Sequence, residues 1–138
     1  MKRHWIEYQE SQPDCPMTFW VHRPADIRDW WRAREFNPPR QPVVPARGYP
    51  VLKIEFDGFT FEFASLDEIR ACIETLGRKL LPRTIDLANK GYTWNATGGG
   101  PNSHWLSRLP KEVKPWKYRE KAVAYMRESL EIFEREIG

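Results

Sequence analysis

At 138 residues the chain has the length of one ordinary domain, and its 41% apolar and 14% aromatic content supports a hydrophobic core. Its 22 basic and 19 acidic side chains leave a net charge of +3, short of the excess expected of a dedicated nucleic-acid binder. No apolar run approaches the roughly 20 residues of a membrane span, and the opening MKRHWIEYQESQPDCP has no signal-peptide core.

These bounds predict a cytoplasmic, non-membrane protein with a single α+β domain over 1–138. Cys15 and Cys72 lie far apart without metal-ligand spacing, so they are expected to be free thiols, Cys72 as a small core residue. His4, His22 and His104 share no ligand spacing either. No metal and no cofactor is expected.

In the front third, Thr18 to His22 reads as a strand that could join a sheet, and Pro24 to about Phe36 as a short helix. That helix would set Ile27, Trp30, Trp31 and Arg34 on one side, with Arg28 and Arg32 opposite. Residues 37–50, NPPRQPVVPARGYP, carry five prolines and predict an extended connector.

The strongest signal is the hairpin VLKIEFDGFTFEF at 51–63. Asp57-Gly58 favours a type I′ turn, in which both central residues take positive φ. That turn pairs Phe56 with Phe59, Ile54 with Phe61 and Leu52 with Phe63, all on one face. On the other face Lys53 stands opposite Glu62, an attractive cross-strand pair.

A helix over 65–81 follows, with Ser65 as N-cap and Glu68 completing a capping box. Leu66, Ile69, Cys72 or Ile73, Leu76 and Leu80 form its apolar stripe, Gly77 weakens its end and Pro82 stops it. Laid across the aromatic face of the hairpin, it makes a ββα centre. A second helix over 118–137 carries Val123, Met126, Leu130, Phe133 and Ile137 as an a/d seam, which closes the core or meets its own copy.

Two segments carry polar chemistry. In GYTWNATGGGPNSHWLSRLP at 91–110, Gly98-Gly99-Gly100 offers backbone amides to an anion. Trp94, Asn102, Ser103, His104 and Arg108 supply ligand-binding groups beside it, with His104 the candidate acid–base residue. The segment lacks both the P-loop lysine spacing and the dinucleotide-binding context. At 107–121, Lys111, Lys114, Trp116, Lys117, Arg119 and Lys121 interleave cations with rings, as single-stranded nucleic-acid binders do. Trp105, Tyr118, Arg28, Arg32 and Arg34 could assist. The structural alternative makes Trp116 and Tyr118 anchors of the last helix.

Asp67 and Glu68 suit the first turn of a helix, and Glu55 and Glu62 a polar sheet face, so paired carboxylates select no hydrolase. The leading expectation is a non-catalytic adaptor acting through protein–protein contacts, as a homodimer or with another protein. Nucleic-acid binding at 105–121 and an anionic ligand or enzyme site at 94–108 are the alternatives.

Overall fold

The computed structural model describes residues 1–30, 32–80 and 105–137, with backbone alone at 107 and 108. In chain order its elements are β1 (Lys2–Gln9), a single helical turn α1 (Thr18–Val21), β2 (Arg23–Pro24), β3 (Phe36–Asn37), β4 (Tyr49–Phe56), β5 (Phe59–Phe63), α2 (Leu66–Leu76) and α3 (Trp116–Ile137). Two 3-10 turns, Trp105–Arg108 and Lys111–Val113, precede α3.

Turn chemistry and alternation build the sheet as the sequence predicts. Asp57 and Gly58 take φ of 47° and 89°, and β4 pairs β5 through Phe56↔Phe59, Ile54↔Phe61 and Leu52↔Phe63. All six side chains except Phe59 are buried. Each buried one stabilises the fold by roughly 1.5–3 kcal/mol. On the outer face the Lys53 ammonium lies 3.7 Å from Glu62 and 3.3 Å from Glu7.

Glu7 belongs to β1, which pairs antiparallel with β4 from Lys2↔Phe56 to Gln9↔Tyr49 and gives the order β1-β4-β5. Its alternation is weak because Trp5 lies on the outer face with Arg3 and Glu7. Its inner-face His4 points toward α3, with Nδ1 2.8 Å from the Tyr125 hydroxyl and the ring edge-on to Phe133.

Both α2 and α3 cover the inner face of the sheet. Leu66, Ile69, Cys72 and Leu76 are buried, Ile73 only partly. The helix ends at Gly77 rather than 81, which leaves Leu80 outside it and 87% exposed. α3 begins two residues before the expected 118, and Val123, Met126 and Phe133 enter the same core with Leu130 and Ile137 at its margin. The a/d seam therefore closes this chain's own core. Tyr118 fastens the start of α3 by donating to the Phe56 carbonyl at 2.7 Å.

The front third departs from expectation twice. Thr18–Val21 is a helical turn, not a strand, with Val21 N–H donating to the Met17 carbonyl. Its fully buried residues, Thr18 and His22, are four apart, a helical spacing hidden by the surrounding apolar run. Among the described residues of 24–36 there is no helix. Instead β2 pairs β3, and the Asp26 carboxylate accepts the backbone amides of Ile27, Arg34 and Glu35. Those amide bonds, Arg34's foremost, hold its pKa below the usual carboxylate value. Trp30 is buried against Phe19 and Phe36 with the Arg40 guanidinium over its ring. Trp31 lies outside the described residues. The proline-rich connector contains a cis Asn37-Pro38 bond and closes in a bridge between Val44 and Gly48 just before β4.

Gly48 and Gly58 test the two ends of this sheet. Both have positive φ, but a Cβ on Gly48 would stand 2.6 Å from the Gln9 carbonyl oxygen, while one on Gly58 meets nothing within 4 Å. Gly58→Ala is expected to cost about 1–2 kcal/mol from backbone strain alone. Gly48→Ala should cost clearly more, because β1 must also shift. Urea unfolding of the two variants measures the difference.

Candidate functional site

Two arrangements stand out: a buried polar cluster and an apolar groove beside it. The cluster centres on Glu68, fully buried in the first turn of α2. Ser65 Oγ accepts the Glu68 amide at 3.2 Å, the expected N-cap bond. The reciprocal half of the capping box closes one residue early, on the Ala64 amide, which donates to Glu68 Oε1 at 3.1 Å. The Thr18 hydroxyl donates to Oε2 at 3.1 Å and itself accepts the Cys15 amide at 2.9 Å.

His22 completes the cluster. Its Nδ1 lies 2.8 Å from the Pro38 carbonyl and its Nε2 2.7 Å from Ser65 Oγ and 3.4 Å from Glu68 Oε2. A carbonyl only accepts, so Nδ1 carries a proton. Nε2 then either accepts the Ser65 hydroxyl or, protonated, donates to Ser65 Oγ while that hydroxyl turns to Glu68, 3.4 Å away. Every group stays satisfied in both states. The serine–histidine spacing is that of a nucleophile and its base, but Ser65 is 1% exposed and His22 not at all. No described hollow is lined by either side chain. In the described structure the cluster fastens the front segment, the connector and α2 together.

The groove, about 240 Å³, runs along β5 and is lined by Pro16, Met17, Phe59, Phe61, Trp105 and Leu109 among others. Its backbone chemistry follows from the hairpin register. Phe56 and Phe59 flank a two-residue turn and exchange both ladder bonds, as do Ile54 with Phe61 and Leu52 with Phe63. The N–H and C=O groups of Thr60 and Glu62 therefore point away from β4, toward the groove. Among the described residues no backbone hydrogen bond reaches them from that side. Wider hollows beside Asp57 and beside Arg40 bring together no comparable set of backbone groups.

Of the residues expected to bind an anionic ligand, Trp94, Asn102, Ser103 and His104 lie outside the described residues, as does the side chain of Arg108. Of the expected nucleic-acid contacts, Lys111, Lys117 and Lys121 are exposed and Lys114 and Trp116 half-buried. Arg119 is only 3% exposed, and its guanidinium donates to the carbonyls of Leu76, Arg78, Lys79 and Lys114. It caps the C-terminal end of α2, and its ion also sits over the Trp116 ring. A phosphate would have to displace those carbonyls. Trp105 is buried in the core, where it cannot stack a base. Arg28, Arg32 and Arg34 are exposed on the Asp26 loop.

Sequence reasoning missed both the cluster and the groove. Thr18, His22, Ser65 and Glu68 come from separate segments, and only the Ser65–Glu68 spacing is a local signal. Among the described residues no three His, Cys, Asp or Glu side chains stand together as a metal site. No described helix is long and apolar enough to cross a membrane. No protein-family model, curated protein or solved structure matches the chain.

Two measurements follow. Glu68→Ala leaves buried donors unmet and is expected to cost about 3–5 kcal/mol in urea unfolding. Asp67→Ala, one position away but facing solvent beside Arg70, should cost under about 1 kcal/mol. The thiols respond to burial: it pushes Cys15 up to about 12 and Cys72 higher still. Between pH 7 and 10 the folded protein should therefore stay nearly inert to thiol reagents, with no rise near the free-thiol value of about 8.5. Denaturant should release two reactive thiols per chain. Rapid labelling of the native protein at pH 8 would contradict this placement.

Proposed function

We propose that the protein is a non-catalytic binding module whose β5 edge takes up an extended segment of a partner protein as an added strand. One observation carries this reading: outward backbone groups at Thr60 and Glu62 open into an apolar groove. Strand addition uses such an edge for affinity and side-chain pockets for specificity. The groove's walls choose between occupants. Pro16, Met17, Trp105 and Leu109 line the groove beside the edge and recess it. A second copy carries the same flanking residues, so two recessed edges obstruct one another, whereas a single slender strand adds less bulk at the groove. This supports the protein-partner form of the adaptor over a homodimer paired through β5.

A capped pentapeptide, Val-Gln-Val-Gln-Val, tests the reading. Titrated into the full chain, it should shift the Thr60 and Glu62 amide resonances and slow their hydrogen exchange. Methylating its two glutamine amides, which face β5 in the added strand, removes two hydrogen bonds and should weaken binding about tenfold or more. Thr60→Pro removes only an outward amide, a change edge strands tolerate, and should abolish binding while the far-ultraviolet spectrum is kept. Equal binding of the methylated peptide, or shifts confined to other residues, would rule strand addition out. Concentration-dependent dimerisation lost in Thr60→Pro would assign the edge to a second copy instead.

A further inference from the structure

Resting on that docking reading, we infer that the docked segment is basic as well as alternating, with a lysine or arginine opposite Glu62 and apolar side chains entering the groove. Directly opposed residues of neighbouring strands point to the same face, with Cβ atoms about 4.5–5.5 Å apart. The residue opposite Glu62 therefore projects onto the outer face of the sheet, and its two neighbours project inward, toward the Phe61 and Phe63 side. The inner wall asks for apolar side chains and the outer face decides the charge.

That outer face is short of cations where the new strand would arrive. Next to Glu62 lies a second hollow of about 180 Å³, lined by Glu7, Asp14, Lys53 and Glu62 among others. Three carboxylates share it with one ammonium. Asp14 already pairs with Arg40 at 2.9 Å. Glu7 is held below its usual pKa, first by the Trp5 indole N–H and then by Lys53 at 3.3 Å. Among the described residues Glu62 has only the longer, 3.7 Å contact to that same lysine, and its side chain is 48% exposed at the sheet edge. In the row Trp5, Lys53, Glu62, the next position outward is the added strand's. A cation there continues the alternation of charge. A carboxylate there would face Glu62 directly.

Three capped peptides of one length test this: Val-Lys-Val-Lys-Val, Val-Gln-Val-Gln-Val and Val-Glu-Val-Glu-Val, titrated into the full chain and followed at the Thr60 and Glu62 amides. The lysine peptide should bind about two- to fivefold tighter than the glutamine peptide, and the glutamate peptide weaker by a similar factor. Raising salt to about 0.5 M should compress the series, since exposed charges are then screened. In Glu62→Gln, an exposed substitution that leaves the core alone, the three affinities should converge. Equal affinities in the unaltered protein, with the same two amides shifting, overturn the charge assignment and leave strand addition standing. A lysine preference that persists in Glu62→Gln also overturns it, because the charge is then read elsewhere. If no peptide moves those amides, the docking reading fails and this inference fails with it.

Discussion

The buried carboxylate of Glu68 is the constraint on which the rest of the arrangement depends. A charge taken out of water is tolerated only when hydrogen bonds replace its solvation. Here the donors come from three directions: the Ala64 amide at the end of the hairpin, the Thr18 hydroxyl in the front segment, and the positive end of α2 itself. His22 stands 3.4 Å away and is tied in turn to the Pro38 carbonyl. One side chain thus joins the hairpin, the helix, the front segment and the proline-rich connector. The Thr18 hydroxyl extends that join to the Cys15 amide, next to Pro16 and Met17, which line the groove. Satisfying the buried charge and shaping the recess beside β5 are one structural event.

Arg119 plays the matching part at the other end of α2. Its fork reaches the carbonyls of Leu76, Arg78 and Lys79 together with Lys114 at the entry to α3. Lysine, with three donors on one nitrogen, could not serve all four carbonyls. An acid buries itself at the amino end of α2 and a base at the carboxyl end, each in the sense that the helix dipole favours. The helix ends at Gly77; Ser65 and Gln41 accept amides of its first turn, and Arg119 holds its last carbonyls. This is why residues that look like surface charge in sequence prove to be internal fasteners.

How far the fold could be read depended on whether the signals were local. The 51–63 hairpin was legible because turn residues, alternation and the Lys53–Glu62 pair independently demand one register. α2 and α3 were legible from their apolar spacing, apart from the exposed Leu80. β1 gives little away: Trp5 interrupts its alternation, and Arg3 finds Glu55 only once β4 is beside it. Asp67 and Glu68 are equivalent in sequence as first-turn acids, yet about 100° of helical rotation sends one to solvent and one into the core. The groove was the least legible feature. Its walls come from residues 16–17, 59–63, 72, 105 and 109, and what unites them is tertiary packing.

The two edges of the sheet are protected by different means, and the difference bears on function. An exposed strand edge invites pairing with another chain, and charged residues or physical cover are the common defences. β1 carries Lys2, Arg3 and Glu7 along its length, which disfavours any close apolar approach. β5 is short and alternates phenylalanine with Thr60 and Glu62, so charge alone does not guard it. Its defence is the recess formed by Pro16, Met17, Trp105 and Leu109. Charge repels a sheet and a strand alike, whereas a recess discriminates by width. On the proposed reading it shuts out another sheet edge, with its flanking helices and loops, and leaves the outward backbone groups of β5 to a lone extended segment. An edge guarded in this way is the kind the proposed binding module requires.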